Sequence, residues 1–209
     1  MTDLEKLKEK YGDEQVLVIP VSTLEMLGLD EEGYSKVNDS TPVSELEELS
    51  FFMPRYLSDN NPQYVEIIPY VTFSVKDLYF TYKRIKNGDK RGEGKLSIGV
   101  GGHISLEDSE INPITPGMIR EVKEELGIFI PPYRFQLNGI IRCKKTPFDL
   151  DHIGLHYNVD LIVDYVAEKD QLLPLGMLTI DALQSYFWDR LENWSKMILE
   201  EIGYYVKIE

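Results

Sequence analysis

The sequence has little of several features that define common classes of protein. One of its 209 residues is a cysteine, Cys143, so an internal disulfide framework is excluded and a reducing compartment is expected. The longest apolar runs, such as VLVIPV, are far shorter than the roughly 20 residues that span a bilayer. The N-terminal segment MTDLEKLKEK lacks the apolar stretch of a secretory signal. These absences predict a cytoplasmic protein with no membrane partner.

Positive charge is also scarce. The chain has 22 lysines and arginines against 36 aspartates and glutamates, a formal net charge of −14. A protein that binds nucleic-acid phosphates by itself has an excess of lysine and arginine over aspartate and glutamate. We therefore expect no nucleic-acid partner. An anionic substrate would need local basic residues or bound metal ions to overcome this overall field.

Familiar phosphate-binding and metal-binding motifs are incomplete. In GDKRGEGKLS five residues separate Gly88 from Gly94, where a P-loop has four, and GVGGHI lacks the third glycine of a dinucleotide-binding loop. His152 and His156 share one face of a predicted strand, but no third ligand has a metal-site spacing, so both are predicted to be structural. Cys143, in the strand-like segment NGIIRCKK, is predicted to be a packing residue.

The pattern of apolar residues predicts an α/β (α+β) fold in which a mixed sheet lies between helices. Two β-rich segments, YVEIIPYVTFSV and DLYFTYKRI, predict a hairpin that turns near Lys76. Apolar residues recurring at three- and four-residue steps from Thr179 to Ile202 predict one long or broken helix. The remaining predicted elements are a helix over 4–11, short helices after Thr23 and after Thr41, and strands in QVLVIP, LSIGVGGHI, YRFQLNGIIR and HIGLHYNVDLIVDYV.

A short helix in the middle of the chain has an unusual distribution of charge. Thr115 followed by Pro116 predicts its start, and Gly127 predicts its end. At 100° per residue Glu121, Glu124 and Glu125 fall within an arc of about 100°, beside a separate apolar arc. Like charges at this spacing repel, so either solvent screens them or a positive group lies against them. Arg120, four residues before Glu124, is positioned to orient that carboxylate.

The segment REVKEELGI, residues 120–128, resembles the C-terminal half of the Nudix box, R-E-U-x-E-E-x-G-U with U a bulky aliphatic residue. Every fixed and every aliphatic position matches. The upstream half diverges, because Gly102 precedes Arg120 by eighteen residues rather than fourteen, and Asn112 stands at the glutamate position. The segment HISLEDSEINPI therefore resembles the corresponding family segment with four residues inserted. Glu107, Asp108 and Glu110 are candidate replacements for the missing glutamate.

The resemblance implies a Nudix-like domain over residues 61–209, with residues 1–60 as an N-terminal extension that packs on it as one structural unit. It implies a hydrolase that cleaves a phosphoanhydride bond in a nucleoside diphosphate derivative or a related pyrophosphate, using Mg²⁺ or Mn²⁺. Carried over by position, Glu121, Glu124, Glu125 and the Gly102 carbonyl would hold the metal, and Arg120 would steer the carboxylates.

Some roles stay open at this point. A further acid from a distant loop serves many family members, and Asp149, Asp151 and Glu168 are the candidates. Residues 51–73 resemble a group of Nudix-fold proteins with a long N-terminal extension. Within this segment Arg55, Tyr56 and Tyr64 are predicted to be packing residues, with contact to a base or phosphate of the substrate as the alternative. The basic segment KRIKNGDKRGEGK is predicted to be a solvated turn, with steering of an anionic substrate as the alternative.

Three functions compete on this pattern. The first is the hydrolase, acting on a small-molecule nucleotide or pyrophosphate, with formation of a homodimer left open. The second is a nucleotide-binding or regulatory module on the same fold that does not hydrolyse its ligand. The third is a prenyl diphosphate isomerase, which would need a catalytic cysteine beside the metal site. Cys143 is distant in sequence from the box, so the isomerase ranks last.

Overall fold

A mixed β-sheet runs through the protein and is organised around one long strand, β4. The computed structural model describes residues 2–38, 41–85, 94–109 and 111–206. The strands are β1 Gln15–Pro20, β2 Gly33–Lys36, β3 Phe51–Pro54, β4 Tyr64–Val75, β5 Leu78–Arg84, β6 Leu96–Ser97, β7 Gly99–Val100, β8 Gln136–Arg142, β9 His152–Asp160 and β10 Leu172–Thr179. The α-helices are α1 Asp3–Tyr11, α2 Val21–Leu27, α3 Val43–Glu48, α4 Arg55–Ser58, α5 Ile114–Leu126, α6 Pro147–Asp151, α7 Ile180–Ala182 and α8 Asn193–Val206.

The main path of the sheet follows the order β10-β5-β4-β9-β8-β2. β4 and β5 form the predicted hairpin, and Lys76 at its turn has a positive φ of 57°. β4 pairs with β9 in parallel, so Glu66 lies directly opposite His152. Along its other edge β4 pairs first with β1 and then with β7, while β3 pairs with β1 and β6 with β5. The glycine-rich end of β7 therefore lies next to the middle of β4.

Helices cover both faces of this sheet, as the sequence predicts. Side chains alternate along β4, so Val71 and Phe73 point to one face while Ile68 and Tyr70 point to the other. The first face packs on α5 through Met118, Val122 and Leu126, and the second packs on α8 through Trp194, Ile198 and Leu199. A third cluster joins Leu17 and Ile19 of β1 to α2 and α3.

The predicted starts of three helices were wrong by one to three residues. α5 begins at Ile114 rather than after a Thr115 cap, and the Ile114 N–H donates to the Glu47 carboxylate at 3.2 Å. A tertiary contact thus supplies the acceptor that the sequence assigned to a local hydroxyl. α2 begins at Val21, before Thr23, and α3 begins at Val43 after Pro42. The predicted ends hold, since Gly28 and Gly127 both adopt the left-handed conformation.

Strands β2, β3 and β10 were not predicted. β10 pairs antiparallel with β5 and extends the sheet on that side. Its burial does not alternate along most of its length, so the period-two signal of a half-buried strand is absent. After β10 the predicted C-terminal helix is broken: α7 runs into a π turn at 183–187 and a 3₁₀ turn at 188–190 before α8 begins.

Among the helices of the described residues, none combines the length and the apolar character needed to cross a membrane.

Candidate functional site

A cleft of about 750 Å³ opens where the end of β7 meets α5. The five residues predicted for catalysis and metal binding, Gly102, Arg120, Glu121, Glu124 and Glu125, all line it. α5 brings the carboxylates there because its opposite side is anchored in the core by Val122 and Leu126, both fully buried. The amphipathic pattern read from the sequence thus fixes which side of α5 faces the cleft.

Arg120 is the positive group that lies against the acidic side of α5. Its Nη1 donates to Glu121 Oε1 at 2.6 Å and to Glu124 Oε2 at 3.0 Å, so the predicted contact with Glu124 is confirmed. Its Nη2 also donates to the His103 carbonyl at 2.8 Å, which ties α5 to the residue after Gly102. One guanidinium therefore offsets the repulsion between two of the three carboxylates and joins the helix to the end of the sheet.

Asp108 is the third carboxylate that Arg120 contacts. The pair is bidentate, with Nε to Oδ1 at 2.6 Å and Nη2 to Oδ2 at 3.0 Å, and the Asp108 side chain is almost completely buried. Asp108 Oδ2 also accepts from the Ser105 N–H at 2.8 Å. Of the two candidates that the structure describes, Asp108 contacts the box through Arg120. Glu107 lines the cleft, and Glu110 lies outside the described residues.

Glu125 is the most deeply buried of the helix carboxylates. Its Oε1 lies 3.8 Å from the Arg84 guanidinium, and its buried Oε2 has no hydrogen-bond partner among the described residues. Burial raises the pKa of Glu125 to about 8, although Arg84 opposes this, and Glu121 and Glu168 raise it further. An unsatisfied buried carboxylate oxygen is costly and fits a site for a cation.

Gly102 lies against the Glu121 carboxylate, so a side chain at residue 102 would displace that carboxylate. A Cβ at residue 102 would lie about 2.5 Å from Glu121 Oε2, well inside van der Waals contact. Burial raises the pKa of Glu121, and Arg120 partly opposes that rise. Gly102, two residues after β7, and the Glu121 carboxylate are therefore close neighbours. Two groups that bind the same ligand need to be this close.

The three candidate distal acids are placed differently. Glu168 and Asp149 line the cleft, whereas Asp151 is buried and is not among the cleft residues. Asp149 Oδ2 already accepts from Thr146 Oγ1 at 2.6 Å and Asn193 Nδ2 at 2.7 Å. The loop that carries Glu168 is held beside α5 by the Ala167 N–H, which donates to the Glu125 carbonyl at 2.8 Å.

Glu192 is an acid at this site that sequence reasoning missed. It lines the cleft, accepts from the Tyr70 hydroxyl at 2.5 Å and from Ser97, and contributes to the raised pKa of Glu125. It lies in the short break before α8, where the helical pattern of residues 179–202 gave no reason to single it out.

Basic side chains line the rim and floor of the cleft: Lys10, Arg55, Arg84 and Lys95. Arg55, a candidate substrate contact, donates to Glu14 at 2.9 Å, and its buried Nε has no partner among the described residues. Tyr64, another candidate contact, is not a cleft residue and packs edge-on against Phe51. Most of the predicted basic turn, residues 86–93, lies outside the described residues.

A cluster of Glu66, His103 and His152, here called the histidine–glutamate cluster, lies at the inner end of the cleft. The Nε2 atoms of both histidines approach Glu66 Oε2, at 2.6 Å for His103 and 3.2 Å for His152, and lie 3.1 Å from each other. The sequence shows no third ligand near His152 because its two partners are distant in the chain. The parallel pairing of β4 and β9 and the loop after β7 unite residues that are far apart in the chain.

His156 and Cys143 have the structural roles that the sequence predicts. His156 contacts the hydroxyls of Tyr34 at 2.7 Å and Thr72 at 2.9 Å, and burial lowers its pKa to about 3. Cys143 is fully buried in the core beneath α8 and does not line the cleft, and burial raises its pKa to about 11. A buried thiol with a raised pKa is a poor nucleophile, which disfavours the cysteine-dependent isomerase.

Comparison with known structures identifies the class to which this fold belongs. The structure of Tm1382, a candidate Nudix hydrolase, matches with a TM-score of 0.76 at 24% identity, over 90% of this chain and 98% of that chain. A MutT Nudix hydrolase from Burkholderia pseudomallei matches with a TM-score of 0.50 at 19% identity, over 64% of this chain and 95% of that one. The chain thus has the fold of the Nudix hydrolases, and the predicted resemblance is confirmed at that level.

At the level of sequence the relationships are more distant. No family model matches the chain. Protein YmaB of Bacillus subtilis (strain 168) is 28% identical over 156 residues, which are 71% of this chain and 76% of that protein.

Proposed function

We propose that this protein is a divalent-metal-dependent hydrolase that cleaves a phosphoanhydride bond in a nucleoside diphosphate derivative or a related pyrophosphate. The observation that carries the proposal is the unpartnered, buried Oε2 of Glu125 in a cleft lined also by Glu121, Glu124 and Gly102. Carboxylate and carbonyl oxygens are the ligands that Mg²⁺ and Mn²⁺ prefer. The donor set therefore fits the expected metal.

In this proposal some side chains of the cleft bind the metal ion and others orient those ligands or bind the substrate. Glu121, Glu124, Glu125 and the Gly102 carbonyl would hold Mg²⁺ or Mn²⁺, with Arg120 orienting Glu121 and Glu124. Such an ion supplies Lewis-acid stabilisation of phosphate charge and makes a water molecule more acidic. Arg84 and Lys95 provide local positive charge for an anionic substrate in an otherwise acidic protein.

Glu168 is our choice for the distal acid. Glu168 lines the same cleft, and its charge is close enough to raise the pKa of Glu125. The carboxylate of Asp149 is already engaged by Thr146 and Asn193, and Asp151 does not line the cleft. Glu168 is therefore the acid best placed to accept a proton from an attacking water or to complete the metal site.

A nucleotide-binding module that does not hydrolyse its ligand is the second candidate. Arg120 donates to both Glu121 and Glu124, so two of the three carboxylates have a positive partner without a metal ion. If Arg120 kept its contacts with Glu121 and Glu124, the cleft would bind an anionic nucleotide through Arg84 and Lys95. The phosphoanhydride bond of that nucleotide would not be cleaved.

The experiment that separates these functions is a hydrolysis assay with a panel of nucleoside diphosphate derivatives and inorganic pyrophosphate. Each compound is incubated with Mg²⁺ or Mn²⁺, and the products are identified by ³¹P NMR in H₂¹⁸O, which marks the phosphorus that is attacked. The hydrolase is expected to incorporate ¹⁸O into one product phosphate and to lose activity with EDTA. Saturable binding of a nucleotide without turnover under both metals would favour the second candidate.

A further inference from the structure

The histidine–glutamate cluster has a geometry that the proposed hydrolysis does not use. Its three facing atoms, the two Nε2 atoms and Glu66 Oε2, lie 2.6 to 3.2 Å from one another. Glu66 and His152 are almost fully buried, and His103 alone lines the cleft. The cluster is thus enclosed on the sides of β4 and β9 and can be reached from the cleft.

Neighbouring groups hold two of these side chains in the orientation of metal ligands. His152 Nδ1 lies 2.6 Å from the Phe148 carbonyl, an acceptor, so the Nδ1–H donates and the Nε2 of the neutral ring keeps its lone pair. The Ser58 hydroxyl donates to Glu66 Oε1 at 2.5 Å and leaves Oε2 for the histidines. A histidine fixed through its other nitrogen by a carbonyl is the usual support of a metal-ligating imidazole.

When both histidine rings are neutral, the contacts within the cluster are not all satisfied. A neutral His103 that carries its proton on Nε2 can donate to Glu66 Oε2. The lone pair of His152 Nε2 then faces the same carboxylate oxygen at 3.2 Å with no proton between them. Two buried acceptor atoms, Glu66 Oε2 and His152 Nε2, therefore face each other beside one shared proton, which is unfavourable. If the neutral His103 ring carried its proton on Nδ1 instead, a cation at the centre would contact a lone pair on each of the three atoms.

We propose that Glu66, His103 and His152 form a second metal site, one that selects Zn²⁺ over Mg²⁺. Two imidazoles and one carboxylate are a ligand set suited to Zn²⁺, whereas Mg²⁺ prefers oxygen ligands. Tetrahedral Zn²⁺ with bonds of about 2.0–2.1 Å separates its ligand atoms by roughly 3.3 Å. Two of the three observed separations are near that value, and only His103 has to move away from Glu66 by several tenths of an ångström. The fourth ligand would come from the cleft.

The first experiment measures Zn²⁺ binding to the intact protein after chelator treatment, by competition with a chromophoric chelator in millimolar Mg²⁺. Wild type is expected to bind Zn²⁺ at one high-affinity site. His103→Ala, which changes the most exposed ligand, and Glu66→Gln should each weaken binding by about 100-fold or more, since loss of an outer-shell partner alone costs 10–100-fold. Circular dichroism and melting curves check that each variant is folded.

Two control variants locate the ion. His156→Gln removes the remaining histidine of the chain, and Glu125→Gln changes the proposed catalytic site; both should keep the affinity of wild type for Zn²⁺. Loss of Zn²⁺ binding in Glu125→Gln with retention in His103→Ala would place the ion among the helix carboxylates and overturn the proposal. The absence of saturable Zn²⁺ binding to wild type at about 10 µM would also overturn it, because a hydrogen-bonded network would then account for the cluster.

A second measurement does not depend on the folding of variants. X-ray absorption of the wild-type protein loaded with Zn²⁺ should show two imidazole ligands and oxygen ligands at about 2.0–2.1 Å. A first shell made only of oxygen atoms would exclude the two histidines and overturn the proposal.

Discussion

At the scale of single residues, Glu125 has the environment most unlike that of an ordinary surface carboxylate. Its neighbours on α5 have partners, because Arg120 contacts Glu121 and Glu124, whereas within the described part of the chain the charged partner of Glu125 is Arg84 at 3.8 Å. The sequence places all three glutamates on one side of a helix but cannot rank them by burial. Three predictions concern these carboxylates.

Glu125→Gln and Glu124→Gln should each lower kcat by about 100-fold or more in the metal-dependent assay, because each removes a charge from the proposed metal site. The measurement is steady-state kinetics at saturating Mg²⁺. Glu9→Gln, an exposed change on α1, is the matched control and should leave kcat unchanged. If Glu125→Gln turned over substrate at the wild-type rate, Glu125 would have no part in catalysis.

The stability of the metal-free protein should depend on pH through Glu125. Its pKa is raised from 4.5 to about 8 in the folded state, so between these values the folded state binds a proton that the unfolded chain has lost. The stability due to this proton is complete below about pH 4.5 and is lost as the pH rises towards 8. In EDTA, the Tm of wild type should therefore fall relative to that of Glu125→Gln as the pH rises from 5 to 8, by more than about 3 °C.

Millimolar Mg²⁺ should reverse this order at pH 8, because a ligand bound only to the native state at about 100 times its Kd adds roughly 2.7 kcal/mol to wild type. Melting curves of wild type, Glu125→Gln and Glu9→Gln with EDTA and with Mg²⁺ test both statements. Curves that keep the same order in both buffers would argue against a metal at Glu125.

At the scale of elements, α5 is held to the loop that precedes it through Arg120. The sequence predicts the extent of α5 well, because its amphipathic pattern and Gly127 are local signals. It misplaces the start because the acceptor for the first turn comes from Glu47 on α3. It also leaves the acids of the insertion as equivalent, whereas the fold places Asp108 against Arg120.

A double-mutant cycle should separate the two kinds of contact that Arg120 makes. Asp108 is buried and bidentate, so the coupling free energy between Arg120→Ala and Asp108→Ala should be about 1–2 kcal/mol. Glu124 is half exposed, so its coupling with Arg120 should be about 0.5 kcal/mol or less. Urea denaturation of the two cycles measures both values. Equal couplings would mean that the bidentate pair does not fix the insertion on α5.

At the scale of the whole molecule, the N-terminal residues contribute to the sheet and to the cleft. β1 pairs with the start of β4, and Leu17 and Ile19 are buried in the core. Lys10, Tyr11 and Arg55 line the cleft. We therefore propose that residues 1–60 fold with residues 61–209 as one structural unit.

Removal of residues 1–60 should prevent cooperative folding, because β4 loses the partner for its first residues and the core loses β1. Removal of residues 1–9 is the matched control, since α1 contributes no buried residue, and this shorter protein should fold and melt cooperatively. Circular dichroism and calorimetry test both deletions. A cooperative transition for residues 61–209 alone would show that the first 60 residues are a separable extension.

Several elements could be predicted from the chain because their signals are local. The hairpin of β4 and β5, the apolar and acidic sides of α5, and the glycine that ends it follow from periodicity and turn chemistry, and together they predict the fold class. The carboxylates of the candidate site are likewise neighbours along one helix, so their spacing in the chain already implies proximity.

Contacts between residues that are distant in the chain could not be predicted and are known from the folded structure. Glu66 and His103 are 37 residues apart and His103 and His152 are 49 apart, and they meet because β4 pairs in parallel with β9 and because β7 ends beside β4. Burial, which raises the pKa of Glu125 and leaves its Oε2 without a partner, likewise depends on the whole fold. Strand pairing and desolvation depend on contacts between remote segments, and a local sequence pattern does not contain that information.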